Sequence, residues 1–147
     1  MPTVFDVAQY LLNKMGPMTT IKLQKLVYYC QAWSLVWDDA PLFENNIQAW
    51  ANGPVSPDLF TCFKGDYYAL PAANIGRDDV FSDVQKETID VIIRDYGNRD
   101  AHWLIELSHS EPPWRNARTR AGVRPGEKCN ETITFADMAE YYSGLVD

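Results

Sequence analysis

Apolar residues recur at helical spacing along most of the chain, and turn-forming residues separate one such segment from the next. The first segment, 4–14, follows a predicted cap at Thr3 and stops at Gly16 and Pro17. The second, 21–37, is apolar around so much of its circumference that a bundle must surround it on several sides. We therefore expect segment 21–37 to be the central helix of the fold.

Four further helices are predicted downstream. They cover 57–64, 83–96 and 101–108, and a last one follows a cap at Thr134. Three of them follow a serine or threonine, Ser56, Ser82 or Thr134, whose side chain can accept a hydrogen bond from a free backbone amide. Together with the first two segments, these make six predicted helices.

The remaining segments predict strands and loops. Two stretches, 47–50 and 131–134, are too short for helices and read as short strands. Segment 66–81 reads as a mixed loop, and 114–129 reads as irregular because two prolines precede it. The sequence thus predicts a mainly α fold: one compact domain over residues 1–147, with about six helices around a central buried helix and at most a small two-stranded β element.

Composition supports a folded core and narrows the class of partner. Apolar residues make up 46% of the 147 positions, which is enough to build a core. The formal net charge of −7 argues against a general binder of nucleic acid or of anionic membranes.

No apolar run reaches the roughly 18–20 residues of a membrane span, and the N-terminus shows no secretory signal. Three cysteines, Cys30, Cys62 and Cys129, lack a C-x-x-C pair. Cys30 and Cys62 have aromatic or apolar neighbours and read as buried thiols, so we expect a cytoplasmic protein.

Tests for catalytic and metal-binding motifs give one partial match. His109 and Glu111 form the H-x-E pattern of zinc deaminases, but that chemistry needs a downstream P-C-x-x-C, and only Cys129 follows. His102 and His109 stand about two helical turns apart, too far for one metal. We predict no enzymatic activity, no metal and no cofactor.

Charged residues form two groups whose roles the sequence leaves open. Asp83, Glu87 and Asp90 fall on a narrow arc of the helix predicted over 83–96, which Lys86 and Arg94 interrupt. Asp90 and Arg94 are spaced for an i,i+4 pair. That arc is either a solvated face or an acidic surface that meets a basic partner. The second group is a basic stretch that is either an exposed loop or a set of partners for the acidic helix; its members are Arg115, Arg118, Arg120, Arg124 and Lys128.

Three segments together resemble a known family. They read KLQKLVYY at 22–29 with Trp33 following, AWANGPV at 49–55 with Pro57 following, and SHSEPPWR at 108–115. Their order and spacing resemble the Panacea antitoxin domain, also called SocA-like, of bacterial and phage toxin–antitoxin pairs, over about residues 3–142. The resemblance implies a helical, non-enzymatic protein that neutralises a toxin by direct binding. It also implies a partner toxin that can be an alarmone-synthetase-like enzyme or another enzyme acting on tRNA or nucleotides.

Most residues of these segments read as structural. We expect the leucines to face the core and Trp50 to pack on the central helix. Gly53 is expected to reverse the chain, and the two prolines are expected to place Trp114 against the core. The full set is Leu23, Leu26, Trp33, Trp50, Gly53, Pro54, Val55, Pro57, His109, Pro113 and Trp114. Lys22, Lys25 and Tyr29 line one polar edge of the central helix, which is either a salt-bridged seam or a groove open to a partner.

These observations lead to one function hypothesis with three alternatives. The first is an antitoxin that occludes its toxin, with the acidic arc and the Lys22, Lys25 and Tyr29 edge as candidate contact residues, and with no direct binding of nucleic acid or membrane. One branch of the family instead implies an adaptor that delivers a toxin to a protease. A phage accessory or regulatory protein without a toxin is another reading. A hydrolase or deaminase built on His109 and Glu111 would require bound metal.

Overall fold

The computed structural model describes residues 1–146, which contain seven α-helices and four very short strands. The helices are α1 (Val4–Met15), α2 (Thr20–Trp37), α3 (Pro57–Cys62), α4 (Asp83–Tyr96), α5 (Ala101–Ser110), α6 (Pro112–Ala121) and α7 (Phe135–Ser143). The strands are β1 (Met18–Thr19), β2 (Gln48–Trp50), β3 (Gly53–Val55) and β4 (Tyr68–Ala69). The mainly α class predicted from the sequence is confirmed.

Helix α2 is the centre of the fold, as its apolar pattern predicts. It packs against α1, α4, α5 and α7, and its side chains Leu23, Leu26 and Val27 are fully buried. The two ends of the helix differ from the middle, because Ile21 and Trp37 are exposed. Both side chains lie at the ends of α2, so apolar character alone overestimates how far the burial reaches.

Capping residues set the helix ends. Thr3 and Asp6 form a reciprocal capping box at α1, and Ser82 and Gln85 form another at α4. Thr134 accepts a hydrogen bond from the Asp137 amide at the start of α7. Each of these pairs satisfies amides that the helix itself leaves unpaired, which is why the predicted starts of these helices hold.

The predicted loop over 114–129 is wrong in its first half, because helix α6 begins at the two prolines. Pro112 and Pro113 occupy the first turn of α6, where a missing backbone N–H removes no helical hydrogen bond. Gly122 ends the helix with a φ of 70°. Prolines that read as a helix breaker after α5 are therefore also the start signal of the next helix.

The basic residues of α6 are neither an exposed loop nor partners of the acidic helix α4. Arg118 is 5% exposed, and its guanidinium donates hydrogen bonds to the backbone carbonyls of Ala49, Arg124 and Glu127. Arg120 pairs with Asp137 at 2.7 Å and with Glu131 at 3.5 Å. Both readings of the basic stretch are wrong for these two arginines, because they bond to β2, to α7 and to the segment after α6. Arg124 and Lys128 lie after the helix and are exposed, as the loop reading predicts.

The small β elements also differ from the prediction. Strand β2 pairs with β3 in a tight antiparallel hairpin, while segment 131–134 contributes only an isolated bridge between Thr132 and Gln48. The predicted loop 66–81 contains β4, which pairs antiparallel with β1, and a short 3-10 turn over Pro71–Ala73. The described residues thus hold two two-stranded sheets rather than at most one.

Two further observations concern the cysteines and the possibility of a membrane crossing. Cys30 is a buried thiol as predicted, and Cys129 is buried as well, whereas the prediction for Cys62 is wrong because it is exposed on α3. Within residues 1–146, no helix combines the length and apolar character that a membrane crossing requires.

Candidate functional site

The three sequence segments that carry the family resemblance meet at the β2–β3 hairpin. Side chains from α2 and α6 donate hydrogen bonds to its backbone carbonyls: Lys25 Nζ to Pro54 at 3.1 Å, Trp114 Nε1 to Trp50 at 2.8 Å, and Arg118 Nη1 to Ala49 at 2.9 Å. A two-stranded hairpin is marginal by itself. These three contacts hold this one in a fixed position against the helices.

A pair of hydrogen bonds joins the central helix to the residue before α3. The Gln24 side chain donates to the Ser56 carbonyl at 3.1 Å and accepts from the Ser56 amide at 2.9 Å. Ser56 in turn caps α3 through a hydrogen bond from the Leu59 amide. The paired amide contacts satisfy buried backbone groups in the way a neighbouring strand would, so α2 is bonded both to the hairpin and to the start of α3.

Gly53 allows the hairpin to approach the central helix. Its φ of +113° disfavours any residue with a side chain, and a Cβ there would lie 2.8 Å from Lys25 Cε and 3.0 Å from Ser108 Oγ. Residues of all three segments thus meet around one glycine. The turn predicted at this position is present, and its physical reason is close packing as well as chain reversal.

Glu111 is a buried carboxylate held by tyrosine hydroxyls. Tyr29 donates to Glu111 Oε1 at 2.6 Å, Tyr142 donates to the same oxygen at 2.8 Å, and Tyr28 Oη lies 3.0 Å from Tyr142 Oη. Burial raises the pKa of Glu111, and the two tyrosine hydrogen bonds partly oppose that rise. The carboxylate therefore joins α2, α7 and the junction between α5 and α6.

His109, the other half of the H-x-E match, packs on an aromatic ring. Its imidazole stacks on Trp114 with the ring centroids 4.0 Å apart, and burial lowers the pKa of His109. Across the described residues, no three or more potential metal ligands lie close enough together to hold an ion. The carboxylate and the imidazole thus both take part in packing contacts of the motif segments.

Two residues of the Lys22, Lys25 and Tyr29 edge are buried, and Lys22 is half-buried. Lys25 is 1% exposed and Tyr29 is fully buried, while Lys22 donates to the Gly97 carbonyl at 2.6 Å. Lys25 and Tyr29 form hydrogen bonds to the Pro54 carbonyl and to Glu111 instead of salt bridges, and Lys25 also borders a groove. Burial lowers the pKa of Lys25 to about 7.

The groove beside this edge is open and has a volume of about 470 Å³. It is bounded by the first half of α2, the hairpin, α3 and the segment 126–130. Its apolar lining comprises Ile21, Leu23, Trp50, Val55, Leu59, Phe60 and Phe63, and its charged lining comprises Lys25, Asp66 and Lys128. The Phe60 ring packs edge-on against Trp50 with centroids 5.0 Å apart.

Sequence reasoning did not find this groove. Its lining comes from separate segments of the chain, and pattern analysis cannot place those segments side by side. One signal was available, because Lys25 and Trp50 belong to two of the family segments, and both line the groove. That overlap connects the segments to a surface as well as to the scaffold.

The acidic arc of α4 is exposed, on the side of that helix away from its buried residues Thr88, Ile89 and Ile92. Asp83, Glu87 and Asp90 are all solvent-exposed. The predicted pairing of Asp90 with Arg94 is wrong: Arg94 pairs with its neighbour Asp95 at 2.9 Å, and Asp90 accepts a hydrogen bond from Tyr10 Oη at 2.8 Å. The arc is thus an acidic surface at Asp83 and Glu87, with Asp90 tied to α1.

Comparisons with known proteins agree with the motif segments. The profile of the family described as "Antitoxin SocA-like, Panacea domain" matches residues 23–115, which include nearly all of the three segments. Antitoxin SocA of Caulobacter vibrioides (strain NA1000 / CB15N) is 30% identical over 126 residues, covering 74% of this chain and 66% of the relative. The chain thus spans just under two thirds of that relative's length. No solved structure matches the present chain. With the profile covering well over half of its residues, this chain belongs to the SocA-like, Panacea-domain antitoxin family.

Proposed function

We propose that this chain is a cytoplasmic antitoxin that neutralises a separately encoded toxin by binding it directly, without catalysis. The observation that carries the proposal is the match of the antitoxin family profile to residues 23–115. The similarity to a protein named as an antitoxin supports the same function. The toxin is the partner that the family implies.

The arrangement of the motif residues supports binding rather than chemistry. Glu111 accepts two tyrosine hydrogen bonds, His109 stacks on Trp114, and Lys25 is buried against the hairpin. Catalysis needs such groups to converge on a substrate at hydrogen-bond distance. Here they hold helices and the hairpin together, so the family segments build a rigid scaffold that presents its outer surface to a partner.

Charge supports a basic partner surface. The chain carries a net charge of −7, and Asp83 and Glu87 are exposed on α4. Enzymes that act on tRNA or nucleotides present basic surfaces, which an acidic protein can cover. We propose that the α4 face guides the encounter and that bound antitoxin blocks the toxin's substrate surface. An alarmone-synthetase-like toxin would fit this description.

Co-expression tests the proposal. The open reading frame beside this chain's gene is expressed from an inducible promoter, alone and together with the chain, in wild-type cells and in cells lacking their ATP-dependent proteases. We expect growth arrest alone, and protection by the chain in both strains. Protection only in the protease-containing strain would replace occlusion with adaptor function, and a harmless neighbouring product would contradict the proposal.

A further inference from the structure

The groove beside the β2–β3 hairpin has the size and lining of a binding site. Its volume of about 470 Å³ lies within the roughly 300–1,000 Å³ range of ligand pockets. Buried side chains of Leu23, Val55 and Leu59 form its base. Because the hairpin and α3 are both clamped to α2, the groove is preformed, and binding there would cost little ordering.

The rim of the groove exposes large apolar side chains. Phe60 is 41% exposed and Ile21 is 39% exposed, and the Trp50 ring packs against Phe60. Aromatic residues at the edge of a pocket are typical anchors of protein interfaces. This lining favours an occupant that inserts a large apolar side chain.

The charge of the groove is opposite to that of the whole chain. Two lysines, Lys25 and Lys128, line it against one acid, Asp66, whereas the chain as a whole carries −7. The Lys25 ammonium has three donors and makes one hydrogen bond to a described residue, the Pro54 carbonyl. A buried ammonium with spare donors attracts a carboxylate, which stabilises its charged form.

We infer that this groove binds a segment of the toxin in which a large apolar side chain is adjacent to an acidic residue. The apolar side chain fills the space between α2 and α3, and the carboxylate lies toward Lys25 and Lys128. This inference rests on the proposed function, since it names how the toxin is held. A second copy of this chain is disfavoured as the occupant because two molecules that each carry a net charge of −7 repel one another overall, whatever the charge of the groove itself.

Synthetic hexapeptides test the chemistry of the groove without the toxin. The probes are acetyl-Ser-Gly-X-Z-Gly-Ser-amide peptides in which X is Trp, Phe or Ser and Z is Glu, Gln or Lys. Amide chemical shifts of the hairpin and α3 report binding. We expect the peptides with Trp or Phe at X and Glu at Z to bind tightest, those with Lys at Z to bind severalfold more weakly, and those with Ser at X not to bind. Binding without this order would overturn the inference.

Matched variants connect the groove to the toxin. Phe60→Ser removes an exposed apolar side chain from the rim, and Leu145→Ser removes one of similar exposure, 52%, near the chain's end. We expect Phe60→Ser to lose the peptide response and to weaken toxin binding about tenfold or more, with Leu145→Ser unchanged. Should Phe60→Ser fail to fold, as judged by its melting temperature, Ile21→Ser replaces it with the same expectation.

The outcomes separate the inference from the function on which it rests. Full toxin affinity in folded Phe60→Ser overturns the groove as the toxin's site and leaves the antitoxin function standing. A wild-type dimer that Phe60→Ser dissociates would make a second copy the occupant and also overturns the inference. If the wild-type chain binds no toxin at all, the proposed function fails, and the toxin fails as occupant with it.

Discussion

Tyr29 Oη donates a 2.6 Å hydrogen bond to Glu111 Oε1, and this contact joins the central helix to the junction of α5 and α6. Glu111 is the residue between those two helices, so its position sets the direction in which α6 leaves. From α6, Trp114 and Arg118 reach the hairpin carbonyls. This buried hydrogen bond, with that of Tyr142 to the same oxygen, thus connects the central helix through α6 to the hairpin that forms one wall of the groove.

The Glu111 carboxylate should make stability depend on pH. Because burial raises its pKa in the folded state, the folded protein binds more protons than the unfolded one just above pH 4.5, and stability falls as the pH rises through the folded pKa. Glu111→Gln removes this titration. We expect wild type to lose free energy of unfolding relative to Glu111→Gln between pH 5 and pH 7, by at most about 1.4 kcal/mol per pH unit. Urea denaturation at both pH values measures it; a pH-independent difference would contradict the buried position.

Lys25 should give the opposite pH dependence. Its pKa of about 7 in the fold lies below its ordinary value of 10.5, so between these values the unfolded chain holds a proton that the folded chain has released. Stability then rises with pH in this window. We expect wild type to gain about 2 kcal/mol relative to Lys25→Met from pH 7 to pH 9. Denaturation curves that shift in parallel would show that Lys25 is not buried as described.

Gly53→Ala should destabilise the fold by close contact as well as by backbone strain. Its φ of +113° and the 2.8 Å approach of Lys25 Cε together predict a loss of roughly 2–4 kcal/mol. Gly126→Ala is the matched control: its φ is +82° but nothing lies within 4 Å of the added Cβ. We expect the control to lose less, as measured by thermal unfolding. Equal losses would mean that the hairpin does not pack closely on α2.

Charge reversal on α4 tests the proposed encounter surface. Asp83→Lys combined with Glu87→Lys changes the local charge while keeping the Asp90 contact with Tyr10. We expect association with the toxin to slow by about tenfold at low salt, with a weaker salt dependence. Stopped-flow mixing measures both quantities.

The control for that variant reverses two exposed acids elsewhere. Glu44→Lys with Glu140→Lys makes the same change of net charge, and both residues are solvent-exposed. An equal slowing in this control would show that overall charge, rather than the α4 face, sets the rate. No slowing in either variant would make the α4 face a solvated surface.

Local signals predict those parts of the fold that depend on neighbouring residues. The caps at Thr3, Ser82 and Thr134 each depend on a contact three residues away, and all three are present. Pro112 and Pro113 show where local reading fails, since proline disrupts a helix interior and also favours a first turn. The residues that follow the prolines decide which role applies. Here Trp114 packs on His109, and Arg118 donates hydrogen bonds to backbone carbonyls, so the helix is stabilised.

The site depends on contacts between distant segments, and so little of it was predictable. Arg118 is a buried charge whose acceptors, such as Ala49 and Glu127, lie in different parts of the chain, and no spacing rule connects them. Tyr29 and Glu111 are 82 positions apart. The order of the family segments indicated the fold and the family, whereas the groove between them required the tertiary structure.

The central claim is neutralisation by direct binding, and inhibition of the purified toxin tests it most directly. The growth-arresting product of the neighbouring open reading frame is assayed for its own activity with increasing amounts of the purified chain, with no protease present. The account predicts that activity falls in proportion to the chain added and is abolished at a fixed stoichiometric ratio. Undiminished toxin activity in the presence of excess folded chain would contradict it.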